Sequence, residues 1–418
     1  MAQDADRFAG RTALVVGTYD TKGEELGFVR DKLRALGIAV KTVDVSTFGK
    51  PSSADVSAEQ IAAMHSGGPS SVFDKDRGQS VTAMAEAFAR WIEIQSDIGG
   101  IISAGGSGGT TLATAGMRKL AVGIPKVMVS TVASGEVGHY VGPSDIMMMY
   151  SVADVQGINP ISEKVLSNAA NALAGMIAGL PSAAERDVTR RNARLAVGLT
   201  MFGVTTPCVQ AIQKKLEADY DCMIFHATGT GGRSMENLVD SGLIHAMIDI
   251  TTTEVADMLV GGVFAADADR FGSAIRTGVP YVGSVGALDM VNFGPRNTVP
   301  EKFAARKFAV HNANVTLMRT TRDENRAMGQ WIAERLNLME GPVRFLLPEG
   351  GVSMLDAPDK PFHDPDADDA LFEAIEKTLR VTSRRTVQRV NANINDAIFV
   401  DAALAAFASI KPESQRRT

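Results

Sequence analysis

Ile102–Thr111, "ISAGGSGGTT", puts four glycines directly behind an apolar run. Small residues feeding a helix start offer unpaired N–H groups and the positive end of the helix dipole to an anion. Gly105, Gly106, Ser107, Gly108, Gly109 and Thr110 are therefore candidate phosphate contacts, with hydroxyls able to donate or to help hold magnesium. A tight structural turn between strand and helix is the competing reading. Neither standard nucleotide fingerprint fits. There is no Gly-Lys-Ser/Thr ending, and in G-x-G-x-x-G the place of the third glycine falls on Thr111.

"GTYDTKGEE" (Gly17–Glu25) also follows a strand and opens a helix. Asp20 can serve a ribose hydroxyl or a metal, and Lys22 can meet phosphate. Alternatively Asp20 and Thr21 only cap the helix, Thr21 with Glu24 forming a capping box. Asp76–Ser80 reads first as a helix start and second as an anion contact through Arg77. In the second half, "FHATGTGGR" supplies His226 at a strand end, Gly229, Thr230, Gly231 and Gly232 as a second glycine turn, and Arg233 for bidentate contact with an anion. "DITTTEVAD" places Glu254 in a helix's first turn. His226 and Glu254 are the candidate proton handlers, although Thr252 or Thr253 as a cap, with Glu254 against the dipole, explains that stretch as well.

Other residues offer less. Cys208 reads as a buried small residue rather than a nucleophile, and "MMMYSV" as core. The histidines show no zinc-site spacing, so no protein-held metal is expected. "PFHDPDADD" could bring His363 and Asp364 to a site, but turn chemistry accounts for it equally.

These residues need elements to hold them. Apolar runs at Arg11–Gly17, Ile38–Val45, Ile98–Ala104 and Lys126–Thr131 read as buried strands, separated by helical periodicity ending at signals such as Gly37. Strand and helix alternate again from Arg194, after a polar stretch behind Pro181. The pattern predicts two tandem open α/β domains, mostly parallel, doubly wound and Rossmann-like, spanning 1–185 and 192–418. Each glycine turn is expected at the carboxyl end of a central strand, where such sheets bind ligands. A length of 418 residues suits two or three domains. The net charge of −6 argues against a nucleic-acid binder. The two cysteines point to a reducing cytoplasm rather than a disulfide framework. Neither a signal pattern nor an apolar run of the ~20 residues needed for a spanning helix is evident, so no membrane is expected.

"GTYDTKGEE", "GGSGGTTLA", "PKVMVSTVASGEV", "SDIMMMYSVADVQGIN", "LTMFGVTTPCV", "FHATGTGGRSMENL", "DITTTEVADMLVGGV" and "GALDMVNFGP", with "PEGGVSMLDAPDKPFHDPDAD" closing the series, together resemble one family. It is the bacterial group related to the amino-terminal region of the tomato mosaic virus resistance protein, and the likeness runs in order from about residue 11 to about 405. The resemblance implies a two-domain α/β protein whose first domain binds ATP, and a homodimer. Its nucleotide site would use Gly17, Thr18, Asp20, Thr21 and Lys22 with Gly105–Thr110. The plant proteins carry a further barrel domain that this chain lacks, and their antiviral activity is not carried over.

The function expected is an ATP-dependent enzyme, with magnesium, acting on a small anionic metabolite in the cleft between two domains by phosphoryl or adenylyl transfer. The alternative is a non-catalytic nucleotide-responsive binding protein. A nicotinamide-dependent oxidoreductase is disfavoured by the failed glycine spacing.

Overall fold

The computed structural model describes residues 8, 10–73, 75–182 and 194–412. The chain divides into two units, Met1–Arg191 and Asn192–Thr418. Each is an open α/β domain built on a parallel sheet, the Rossmann-like plan expected from the alternating periodicity.

In the N-terminal unit, β1 (Thr12–Gly17), β2 (Ala39–Asp44), β3 (Ile98–Gly105), β4 (Lys126–Ser130) and β5 (Met147–Tyr150) lie in the order β2-β1-β3-β4-β5. All the pairings are parallel. Helices Arg77–Glu93 and Ser107–Met117 pack on one face of the sheet, and Tyr19–Ala35 and Pro160–Ala178 on the other. Leu26, Val29 and Leu33 share the buried stripe of the first of these. Burying each such side chain contributes roughly 1.5–3 kcal/mol. That helix ends where Gly37 takes a left-handed φ of +86° and donates its N–H to the Arg34 carbonyl.

Two local expectations are corrected. Thr21 and Glu24 form no capping box: the helix opens earlier, at Tyr19, without a side-chain cap, and bends at Lys22 (φ −127°). Met147–Tyr150 is core only in its middle, where Met148 and Met149 pack on the two faces of the sheet. It forms the outer strand, bonded to β4 alone, with Met147 and Tyr150 exposed, because no further strand covers that edge. Asp76 does cap its helix, accepting from the Gly78 and Gln79 amides at 2.9 and 3.1 Å.

In the C-terminal unit, β6 (Ala196–Met201), β7 (Asp221–His226), β8 (Ala246–Thr251) and β9 (Tyr281–Gly286) are followed by β10 (Met290–Phe293), β11 (Phe308–Asn312), β12 (Val315–Arg319), β13 (Val343–Pro348) and β14 (Arg385–Val390). The parallel sheet runs β14-β13-β9-β8-β6-β7. A separate antiparallel sheet, β10-β12-β11, is inserted between β9 and β13. Among the described residues no helix is long and apolar enough to cross a membrane.

Candidate functional site

Open parallel sheets bind ligands outside the carboxyl ends of the strands where the winding reverses. In the N-terminal unit the chain goes from β1 out to β2, then returns past β1 to β3, so the reversal falls between β1 and β3. The segments that leave those two strands are Gly17–Lys22 and Gly105–Thr110. The fold thus brings both predicted segments to the same edge of the sheet.

The turn after β3 is open. Gly106 is the N-cap of helix Ser107–Met117 and has no side chain to cap it. Among the described residues, no acceptor meets the amides of Ser107, Gly108 or Gly109. The glycines here are not demanded by packing. A Cβ on Gly108 or Gly109 would touch nothing within 4 Å, and one on Gly106 would reach only Thr131 Oγ1 at 3.7 Å. None of these glycines has a positive φ. Thr110 is a support rather than a ligand: fully buried, its hydroxyl bonds the Gly106 carbonyl at 2.8 Å and Ser130 Oγ at 2.6 Å. Ser107 is exposed at the helix start.

In the segment after β1, Asp20 has an unsatisfied carboxylate. Both its carboxylate oxygens are buried, and neither accepts a hydrogen bond from the described protein. Its backbone is held by Ser46 Oγ (3.3 Å), while Asp44, at the end of β2, accepts from the Tyr19 and Ser46 amides. Thr18 and Thr21 bond one another through their hydroxyls at 2.8 Å. Gly17 has a packing reason, since a Cβ would lie 2.7 Å from Leu26 Cδ1. Lys22 differs from expectation: its ammonium donates to the Val155 carbonyl, and Glu25 takes the Gly157 amide at 2.7 Å, so the pair pins the 155–157 loop to the helix start.

The second glycine turn is built differently. It follows β7, the edge strand, whereas its expected place was a central strand. The reversal in this unit lies between β6 and β8, which the turn does not flank as its counterpart does. Its amides are already occupied: Glu254, fully buried, accepts from Gly229 N at 2.7 Å and Gly232 N at 3.1 Å. The same carboxylate pairs with Arg270 at 3.0 Å, and Arg270 also holds Glu236 and Asp249. Burial works against the Arg270 charge, yet Asp249, Glu254 and Glu236 hold its pKa well above the ordinary value. Glu254 is therefore tied inside the protein to two amides and the Arg270 guanidinium. Each glycine has an internal cause as well. Cβ atoms would fall 2.3 Å from Glu254 Oε2 at Gly232, 1.8 Å from the His226 carbonyl at Gly231, and 2.7 Å from the Ala265 carbonyl at Gly229, whose φ is +75°.

Thr230 opens the exposed helix start, and Arg233 bends back to the Gly229 carbonyl at 3.2 Å. His226 lies exposed at the end of β7, edge-on to Phe202 at 5.3 Å between ring centres. His226 and Glu254 thus do not form a working pair. Thr252 occupies the cap position, but its hydroxyl bonds the Ser284 carbonyl. Burial pushes the Cys208 thiol up to about 12, so it is no nucleophile at neutral pH. Among the described residues, no group of three or more His, Cys, Asp or Glu side chains is arranged to hold a metal ion.

Sequence reasoning missed the buried arginines and aspartates of the C-terminal unit. The signal was present in "RFGSAI", "LMRTT" and "SMLDAP", where single charges interrupt apolar runs, but such runs do not name their partners.

Comparison with known proteins fits this architecture. Residues 11–181 match the N-terminal domain, and 194–411 the C-terminal domain, of the uncharacterised protein family UPF0261. A UPF0261 protein of Rhizobium meliloti is 53% identical over 95% of this chain and 98% of its own length. One from Mesorhizobium japonicum is 55% identical over the same shares. The ToMV resistance protein Tm-1 of Solanum lycopersicum is 44% identical over 96% of this chain, which spans 56% of that longer protein. With both halves matched in order and relatives this similar along nearly all of its length, the chain belongs to the UPF0261 family.

Proposed function

We propose that the N-terminal unit binds ATP with magnesium at the reversal between β1 and β3. The observation that carries this reading is a pairing of opposites: helix-start amides with no acceptor, beside a buried carboxylate with no donor. A buried polar group left unpaired costs about 1–3 kcal/mol, more when charged, so both halves favour a ligand that is anionic on one side and offers a cation or hydroxyls on the other. A nucleoside triphosphate with its metal has that character. The Ser107, Gly108 and Gly109 amides would receive phosphate oxygens. Asp20 would face magnesium or the ribose hydroxyls, Thr110 would hold the turn in shape, and Thr18 and Thr21 would border it. The magnesium-bound phosphates would supply the transferable group. From there we extend the reading to phosphoryl or adenylyl transfer onto a small metabolite.

The second reading, a nucleotide-responsive binding protein without turnover, is favoured by one fact. The Lys22 ammonium is tied to the Val155 carbonyl, which leaves the turn without a dedicated free lysine. Isothermal titration with MgATP tests binding itself, with saturable heat expected and its absence refuting both readings. ADP or AMP release in the presence of candidate metabolites then separates the enzyme from the binding protein.

A further inference from the structure

A second polar centre lies in the C-terminal unit, where the segments leaving β9 and β13 at their carboxyl ends contribute three aspartates to one arginine. Asp289, fully buried, accepts from Ser353 Oγ at 2.8 Å through Oδ2, and its Oδ1 has no partner. Asp356, also fully buried, accepts from the Val352 amide at 2.9 Å through Oδ2 and shares a side-chain hydrogen bond with the Asp368 carboxyl, while no N–H donor reaches its Oδ1. Asp368 takes Arg319 Nη2 at 2.9 Å, and the same nitrogen stands 3.7 Å from Asp356 Oδ1. Arg319 spends its remaining donors on the Phe362 and Asp364 carbonyls and on Thr320.

His363 closes the set. Its Nδ1 is buried, has no hydrogen-bond partner, and lies 4.0 Å from Asp356 Oδ1, while the side chain as a whole is 34% exposed. The buried nitrogen faces a buried carboxylate, and the side chain is partly open to solvent. Asp364, the neighbour singled out by sequence, instead caps helix Pro365–Thr378 through the Ala367 amide. The aspartate is held firmly: Asn393 Nδ2 binds the Gly350, Ser353 and Asp356 carbonyls, and Gly351, at φ +113°, lets the chain turn tightly over Asp356.

We propose that His363 is the base of a chemical centre in the C-terminal unit, held in the Nδ1–H tautomer by Asp356, and that it takes the proton from a substrate hydroxyl. In that step the O–H bond breaks, its electron pair stays on the substrate oxygen, the proton joins His363 Nε2, and Asp356 balances the imidazolium charge. Asp356 is a positioning residue, as an aspartate behind a histidine base is elsewhere. A separation of 4.0 Å is long for a hydrogen bond, and such contacts tighten when a substrate is bound. The proposal is independent of nucleotide binding in the other unit, and it moves the proton chemistry away from His226 and Glu254.

The test is the tautomer of His363 in the full-length protein labelled with 15N-histidine, its resonance assigned by its loss in His363→Gln. A proton on Nδ1 in the neutral ring is expected, and a proton on Nε2, the preference of free imidazole, overturns the proposal. A second readout is carbethoxylation of His363 followed by mass spectrometry. The rate should fall severalfold in Asp356→Asn as Nε2 gains the proton, and an unchanged rate in the folded variant also overturns it.

Discussion

The two glycine turns of this chain look alike as sequence and are opposites as structure. After β3, Gly108 and Gly109 have open space where a side chain would go, and the amides of Ser107, Gly108 and Gly109 have no acceptor among the described residues. After β7, every Cβ would collide, and the amides of Gly229 and Gly232 are filled by Glu254. Glycine is used in one case so that something outside the protein can approach the backbone, and in the other so that the protein can approach itself. The second turn is in effect an anion site whose anion is built in. A glycine-rich turn therefore carries functional meaning only once the chain's own carboxylates have been accounted for.

Filling each turn breaks this comparison most directly. Gly232→Ala drives a methyl into the Glu254 carboxylate and disturbs its pairing with Arg270. Breaking a buried pair costs about 3–5 kcal/mol, and a loss of that order is expected in denaturant unfolding of the C-terminal unit. The two tryptophans separate the units, since Trp91 reports on the first and Trp331 on the second. Trp91→Phe leaves a clean signal for this measurement. A loss below about 1 kcal/mol, typical of an unconstrained helix substitution, would show that the second turn is as open as the first.

Gly108→Val sharpens the other side. Nothing lies within 4 Å of the new Cβ, so unfolding of the N-terminal unit should change by less than about 1 kcal/mol. MgATP affinity should fall about 100-fold or more, the equivalent of about 2.7 kcal/mol, because the branched side chain covers the amides. Unchanged titration heats in the folded variant would place the phosphates elsewhere. Asp20→Asn is milder. It removes a charge from a buried carboxylate whose oxygens meet no donor, so stability should hold or rise while magnesium-dependent affinity drops about tenfold, roughly 1.4 kcal/mol. Equal affinities with and without the substitution would remove Asp20 from the site.

Much of the framework was legible because buried parallel strands and amphipathic helices leave periodic traces. Gly37 and Asp76 behave as their sequence contexts require. The segments leaving β1 and β3 were legible too, since turns that leave strands of a doubly wound sheet fall on one edge. Strand order was not legible. Nothing local marks β7 as an edge strand or β3 as an interior one, because order is decided by which helix covers which face. The antiparallel insert, β10-β12-β11, escaped for a related reason: its strands bury both faces in part and lack clean alternation. Charged partners escaped because pairing is long-range. Glu254 could not announce Gly229, nor His363 announce Asp356, from positions far apart or across a proline turn.

The smallest effect concerns acidity, and it extends the contrast from turns to whole units. The C-terminal unit resolves its internal charges against themselves, and not completely. Burial, and then the neighbouring Asp356, push Asp289 up to about 7 and Asp368 up to about 9, against the pull of Arg319. Unfolded aspartates titrate near 3.9. Between that value and the folded ones, the native unit keeps protons that the unfolded chain has released. Fewer protons bound in the unfolded state means that stability falls as pH rises. The contribution is fully present below the unfolded pKa and is lost as pH climbs through about 7 for Asp289 and about 9 for Asp368. From pH 6 to pH 8 the melting temperature of this unit should therefore fall, followed through Trp331. Asp368→Asn, which cannot ionise, should flatten that slope. A melting temperature that rises over the same interval would mean that the aspartates are ionised in the folded protein, with Arg319 outweighing their burial.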